Sequence, residues 1–189
     1  KLGFGPATIG AWGCLMTCMA MGLTAYGTQV NPKQLNQQLQ AMGNQGFSGS
    51  NILFVAPTLV GGLQSKGNLR SWSSSDVQAS IWTGADPIQR IDDALAAGQI
   101  VLAQVDTKPN NGFYNSNNEQ HWVVLVKRTP EEDDYLILDP IIRPQQMNTQ
   151  PRSLMAKYGN VVPSRSHEEN LRNAIKSTLV YYKPGGVGG

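Results

Sequence analysis

The chain has 189 residues, of which 40% are hydrophobic and 15% charged, with a net charge of +2. That length suits one sizeable domain with its own core, and no apolar run reaches the roughly 20 residues that a membrane-crossing helix needs, so no membrane insertion is expected. The basic residues are scattered instead of forming a stripe, which excludes an electrostatic footprint for nucleic acid. The abundance of Gln, Asn, Ser and Thr suits a secreted, phage-particle or cell-envelope protein better than a cytoplasmic one.

The opening Lys1-Leu2-Gly3-Phe4-Gly5-Pro6 has no apolar stretch of the signal-peptide kind and no initiator methionine. The expectation is a domain cut from a longer product. Residues 14–26 then predict a long helix between Gly13 and Gly27, apolar nearly all round and therefore central and buried. Cys14 stands at its first position. There the open backbone N–H groups and the helix dipole favour a thiolate, and the same N–H groups can receive the oxyanion formed when sulfur attacks a carbonyl. Gly13 is expected to leave room for a substrate. Cys18, one turn further in among apolar neighbours, reads as a structural cysteine.

A disulfide between these two cysteines would distort the helix that carries both. With no Cys-x-x-Cys pair, and with His167 far away in a polar stretch, the spacing speaks against zinc. No metal and no cofactor are expected.

Asn31-Pro32 predicts a helix start, with Leu35, Leu39 and Met42 on one face and Gly43 at the end. A further helix is expected from about Ser50 through Val55 toward Val60, bent at Pro57 and stopped by Gly61-Gly62. Residues 63–85, with Trp72 and Trp82, have room for a short strand. Asp86-Pro87 opens another helix, with Ile88, Ile91 and Leu95 on one face and Gly98 at its end.

The period then changes. Ile100 to Val105 reads as a strand, 107–120 as a long polar loop, His121 to Arg128 as a second strand, and Asp134 to Asp139 as a third, with a turn near 129–133. Helices around 152–158 and 166–175 and a last strand, Thr178 to Tyr182, complete the order. Helices first and an antiparallel sheet later give an α+β architecture, with an N-terminal helical part packed on the sheet. Residues 1–183 form the expected domain, and 184–189 a Gly-rich linker or tail.

His121 opens its strand and Asp139 closes the next. If these strands pair, their outer ends meet, and the two side chains lie side by side or diagonal. A carboxylate there fixes the histidine tautomer and stabilises the imidazolium. A cysteine at a helix start, combined with a histidine and an aspartate at paired strand ends, is far more specific than any of the three alone.

These residues also carry a family resemblance. The run Thr8-Ile9-Gly10-Ala11-Trp12-Gly13-Cys14-Leu15-Met16-Thr17, followed by Ala20-Met21, Tyr26-Gly27 and Asn31-Pro32, resembles the nucleophile segment of papain-like cysteine peptidases of the bacteriocin-processing, double-glycine-leader type found outside transporters. Val101 to Asp106, His121-Trp122-Val123-Val124 and Tyr135-Leu136-Ile137-Leu138-Asp139-Pro140 continue it to about Tyr182. The resemblance implies a papain-like fold, with Cys14 as nucleophile, His121 as base and Asp139 as its orienting partner, acting on a peptide or protein.

One departure stands out. Such enzymes carry a glutamine shortly before the cysteine as an oxyanion donor, and positions 7–12 hold none. Gln104, Gln120 or a residue upstream of Lys1 are the alternatives. Trp12 and Trp122 flank the two catalytic candidates and are candidate cleft residues, and the 107–120 loop is placed to shape access.

Relatives by this resemblance cut after paired glycines, so Gly188-Gly189 raises release of this domain from further domains of the same polypeptide. Two other readings stand beside it: a cell-wall peptide-cleaving module of a bacterial or phage lysin, and a non-catalytic binding or structural module on the same fold, which the missing glutamine supports.

Overall fold

A computed structural model describes residues 1–68, 87–109, 119–129, 131, 133–141 and 150–185. The expected readings at Trp72 and Trp82, the middle of the 107–120 loop and Gly188-Gly189 lie outside these residues. The chain separates into two compact units, Lys1–Lys66 with Tyr181–Gly189, and Gly67–Val180. Among the described residues no helix is long and apolar enough to cross a membrane.

The first unit opens with a short helix α1 (Ile9–Trp12) and runs at once into α2 (Cys14–Ala25). Its next helix is α3 (Pro32–Ala41), where Asn31 and Gln34 form a reciprocal capping box and Pro32 sits in the first turn. Leu35 and Leu39 of α3 are fully buried, as are Met16 and Leu23 of α2. Each such side chain contributes about 1.5–3 kcal/mol by leaving water.

A hairpin of β1 (Phe47–Ser48) and β2 (Asn51–Ile52) follows, then α4 (Ala56–Gly61) and β3 (Gln64–Asn68). The helix expected from Ser50 therefore starts only at Ala56. The preceding residues pair as a hairpin, with Phe47 opposite Ile52, and Pro57 lies in the first turn of α4, where its missing N–H costs nothing, so it bends nothing. Gly62 ends α4 at a positive φ of 65°, a conformation that favours glycine.

The second unit contains α5 (Pro87–Ala96), β4 (Ile100–Asp106), β5 (Gln120–Thr129), β6 (Asp134–Leu138), β7 (Arg152–Ser153), α6 (Leu154–Tyr158), α7 (His167–Ala174) and most of β8 (Ser177–Tyr182). Its strands lie in the order β8-β4-β5-β6-β7. The pairs β4–β5, β5–β6 and β6–β7 are antiparallel.

Residues facing one another across an antiparallel pair share a face, and neighbours along a strand alternate. The register Val101↔Leu125, Ala103↔Val123 and Val105↔His121 therefore puts His121 at the end of an apolar face. That face joins Ile137, Tyr135 and the inner side chains of α5, α6 and α7 in one core cluster. The register Leu102↔Val124, Gln104↔Trp122 and Asp106↔Gln120 belongs to the opposite face. A bulge between Leu125 and Lys127 shifts the β5–β6 register and leaves Val126 exposed.

Candidate active site

Cys14 is the first residue of α2, and its N-cap Gly13 offers no side chain. Helix geometry leaves the first N–H groups of α2 without intrahelical carbonyls. Gly13 is held from both sides. Its N–H donates to the Ile9 carbonyl at 2.8 Å, while its own carbonyl accepts from the Thr17 N–H and the Thr17 hydroxyl, both at 2.9 Å.

A Cβ on Gly13 would lie 2.4 Å from the Ile9 carbonyl oxygen and 2.9 Å from Ile9 Cα. The glycine is therefore required by the abrupt junction of α1 and α2, a stricter reason than the substrate access expected from sequence. The two cysteines form no disulfide. Cys14 is half-buried and Cys18 fully buried.

His121 and Asp139 meet as the hairpin predicts. Leu138, opposite Val124, is the last paired residue of β6, so Asp139 stands diagonal to His121. Both are at least 95% buried, and His121 Nε2 lies 2.9 Å from Asp139 Oδ1. Asp139 takes three more donors. The Ile141 N–H reaches Oδ1 at 2.9 Å, the Tyr158 hydroxyl reaches Oδ2 at 2.7 Å, and the Lys157 ammonium also binds Oδ2.

Burial alone would push this carboxyl up. The bonds from His121, Lys157, Tyr158 and the Ile141 N–H outweigh burial and hold it well below the usual carboxylate range. An ionised carboxylate only accepts, so the Nε2 facing it carries the hydrogen. The lone pair of the neutral ring is then on Nδ1. The Tyr158 ring packs on the imidazole, with centroids 5.6 Å apart and planes at 42°.

The remaining candidates are distributed differently. Gln104 is buried on the sheet face opposite His121, its side-chain oxygen accepting from the Ser177 hydroxyl at 2.6 Å. Gln120 faces Asp106 on that same side. Trp122 is buried there too, opposite Gln104, whereas Trp12 on α1 is 50% exposed. Lys157 and Tyr158 join the site without a signal in the sequence. They come from a helix 18 and 19 residues beyond Asp139, and nothing in their spacing marks them. Among the described residues no cluster of three or more His, Cys, Asp or Glu side chains is arranged to hold a metal ion.

A family model described as the Peptidase_C39 like family matches residues 6–165. A crystal structure named as that of a C39-like peptidase from Bacillus anthracis superposes with a TM-score of 0.51, covering 91% of this chain and 89% of that one at 17% identity. At that identity the likeness shows the fold, the α+β architecture of papain-like peptidases. No curated protein matches the chain.

Proposed function

Since the chain belongs to the Peptidase_C39 like family, we propose that it is a cysteine peptidase that hydrolyses peptide bonds with Cys14 as nucleophile, His121 as base and Asp139 as the group that orients it. The observation that carries the reading is the buried His121–Asp139 bond, which fixes the Nε2–H tautomer and leaves the basic lone pair of the neutral ring on Nδ1. The half-buried cysteine at the open start of α2 supports it from the other unit.

In this reading the Cys14 thiol gives its proton to His121 Nδ1, and the thiolate adds to the substrate carbonyl. The negative oxygen that forms accepts hydrogen bonds from the N–H groups that open α2. The Nδ1 proton passes to the departing amine, the C–N bond breaks, and a thioester to Cys14 remains. A water molecule gives its proton to Nδ1, attacks the thioester and releases the acid, returning the proton to sulfur. Asp139 stays ionised throughout and steadies the imidazolium.

Incubation with a proteome-derived peptide library, read by mass spectrometry, tests the reading. New peptide termini are expected with the wild type, and Cys14→Ala should lower their rate by about a thousandfold or more. Termini that persist at the wild-type rate in Cys14→Ala contradict the assignment. A wild type that cuts nothing favours the non-catalytic module.

A further inference from the structure

The sequence marks a cysteine, a histidine and an aspartate, but the structure adds two side chains that bind the carboxylate beside the histidine. Lys157 and Tyr158 both bind Asp139 Oδ2, the oxygen that does not face His121. With the His121 and Ile141 donors on Oδ1, the carboxylate has four partners and no remaining freedom to rotate.

The helix that brings them is itself tied to the same strand. At the other end of β6, Asp134 Oδ1 accepts from the Met155 N–H at 3.0 Å, and its Oδ2 binds the Ser153 hydroxyl, which caps α6 through the Ala156 N–H. Asp134 thus holds the start of α6, and Asp139 receives its end.

We propose, as a deepening of the peptidase reading on which it rests, that Lys157 and Tyr158 are positioning residues of the site: together they lock the Asp139 carboxylate, and the Lys157 ammonium offsets part of its charge, so that His121 faces an ionised acceptor whose field is weakened. Lys157 is placed for both roles, with 25% of its side chain exposed against 3% for Asp139, so its charge is only partly screened by water. Its ammonium also lies 5.3 Å from the Tyr158 ring centroid.

Among the described residues, other ionisable groups at this end of the second unit are Asp106 and Glu119, with Lys108 and Lys176 near Asp106. By register the Asp106 side chain lies on the opposite sheet face from His121. The helices α5 and α7 present Ile88, Ile91, Ala94, Leu171 and Ala174 to the core on the His121 side. Among the described residues, Lys157 is the cation that binds the carboxylate of the His121–Asp139 pair.

The sign of the effect follows from charge. Removing the ammonium leaves Asp139 with its full negative charge beside the imidazole, which favours the imidazolium. The chain has two histidines, so nitrogen-detected NMR titration of 15N-histidine protein resolves His121 once a His167→Gln variant assigns the other signal. The titration is made in Cys14→Ala protein, where the thiol contributes nothing and no peptidase activity is needed.

Lys157→Met is expected to raise the His121 midpoint by about one pH unit, and Lys157→Gln to raise it similarly. Lys157→Arg should restore the parent midpoint, and Tyr158→Phe, which changes no charge, should move it less than Lys157→Met. A midpoint unmoved in both Lys157→Met and Lys157→Gln overturns the proposal. So does a neutral-state signal with the hydrogen on Nδ1. Because the readout is a titration, it separates from the peptide-library result: an inert Cys14 with a moving midpoint removes the peptidase and leaves the clamp, and a working peptidase with an unmoved midpoint removes the clamp alone.

Discussion

Asp139 gathers more of the site's chemistry than any other side chain. Its carboxylate is buried and ionised, and that combination is stable only because each lone pair has a donor. The pH dependence follows directly. The folded state holds its pKa below the ordinary 3.8, so the unfolded chain binds its proton first as pH falls. The stabilisation is fully present above about pH 4 and is lost as pH drops toward the lowered folded value. Urea unfolding of wild type and Asp139→Asn should therefore show a stability difference that is largest near neutrality and shrinks below about pH 4. A difference that stays constant across that range would mean the carboxylate charge plays no part.

The residue-scale lesson about legibility lies in the contrast between the partners of Asp139. The meeting of His121 with Asp139 was readable in outline because adjacent antiparallel strands bring their outer ends together, but the bulge between Leu125 and Lys127 that turns Asp139 to the His121 face was not. Lys157 and Tyr158 were not, because their approach depends on the direction of a five-residue helix that no local pattern specifies.

At the scale of elements, α6 is too short to be stable by itself. It persists because β6 holds it at both ends and because Leu154 and Tyr158 are buried. Asp134→Ala would leave the Tyr135 and Met155 N–H groups and the Ser153 hydroxyl without their acceptor. A loss of about 3 kcal/mol in urea unfolding is expected, against about 1 kcal/mol for Ser153→Ala, which removes only the cap on Ala156. Equal losses would show that Asp134 acts only through Ser153.

Elements with strong end signals were readable in outline. Asn31-Pro32 and its capping box start α3, and Gly98 at φ 67° follows α5. The Ser50 to Val55 stretch hides its hairpin because both strands are two residues long, too brief to leave a period-two pattern. The same brevity hid β7, so the helix expected at 152 starts at Leu154, after Ser153.

At the scale of the whole molecule, the order of helices before sheet was visible in the change of hydrophobic period near Ile100. The division into two units was not, since it depends on long-range packing that periodicity does not encode. The proposed catalytic residues divide along it. Cys14 with its helix start belongs to the first unit, and the completed His121–Asp139–Lys157–Tyr158 cluster belongs to the second. The family match, residues 6–165, spans both. The proposed reaction needs the two to act as one, and a difference in cysteine reactivity reads that directly.

Labelling of the native protein with a thiol-reactive peptide probe, followed by peptide mapping, is the most direct measurement. Cys14 should be modified and Cys18 spared, and His121→Ala should slow Cys14 labelling by about a hundredfold, while both cysteines react alike with a small alkylating agent in denaturant. Slow and equal labelling of the two cysteines in the native protein, or Cys14 labelling unchanged by His121→Ala, would contradict the catalytic pairing of Cys14 with His121.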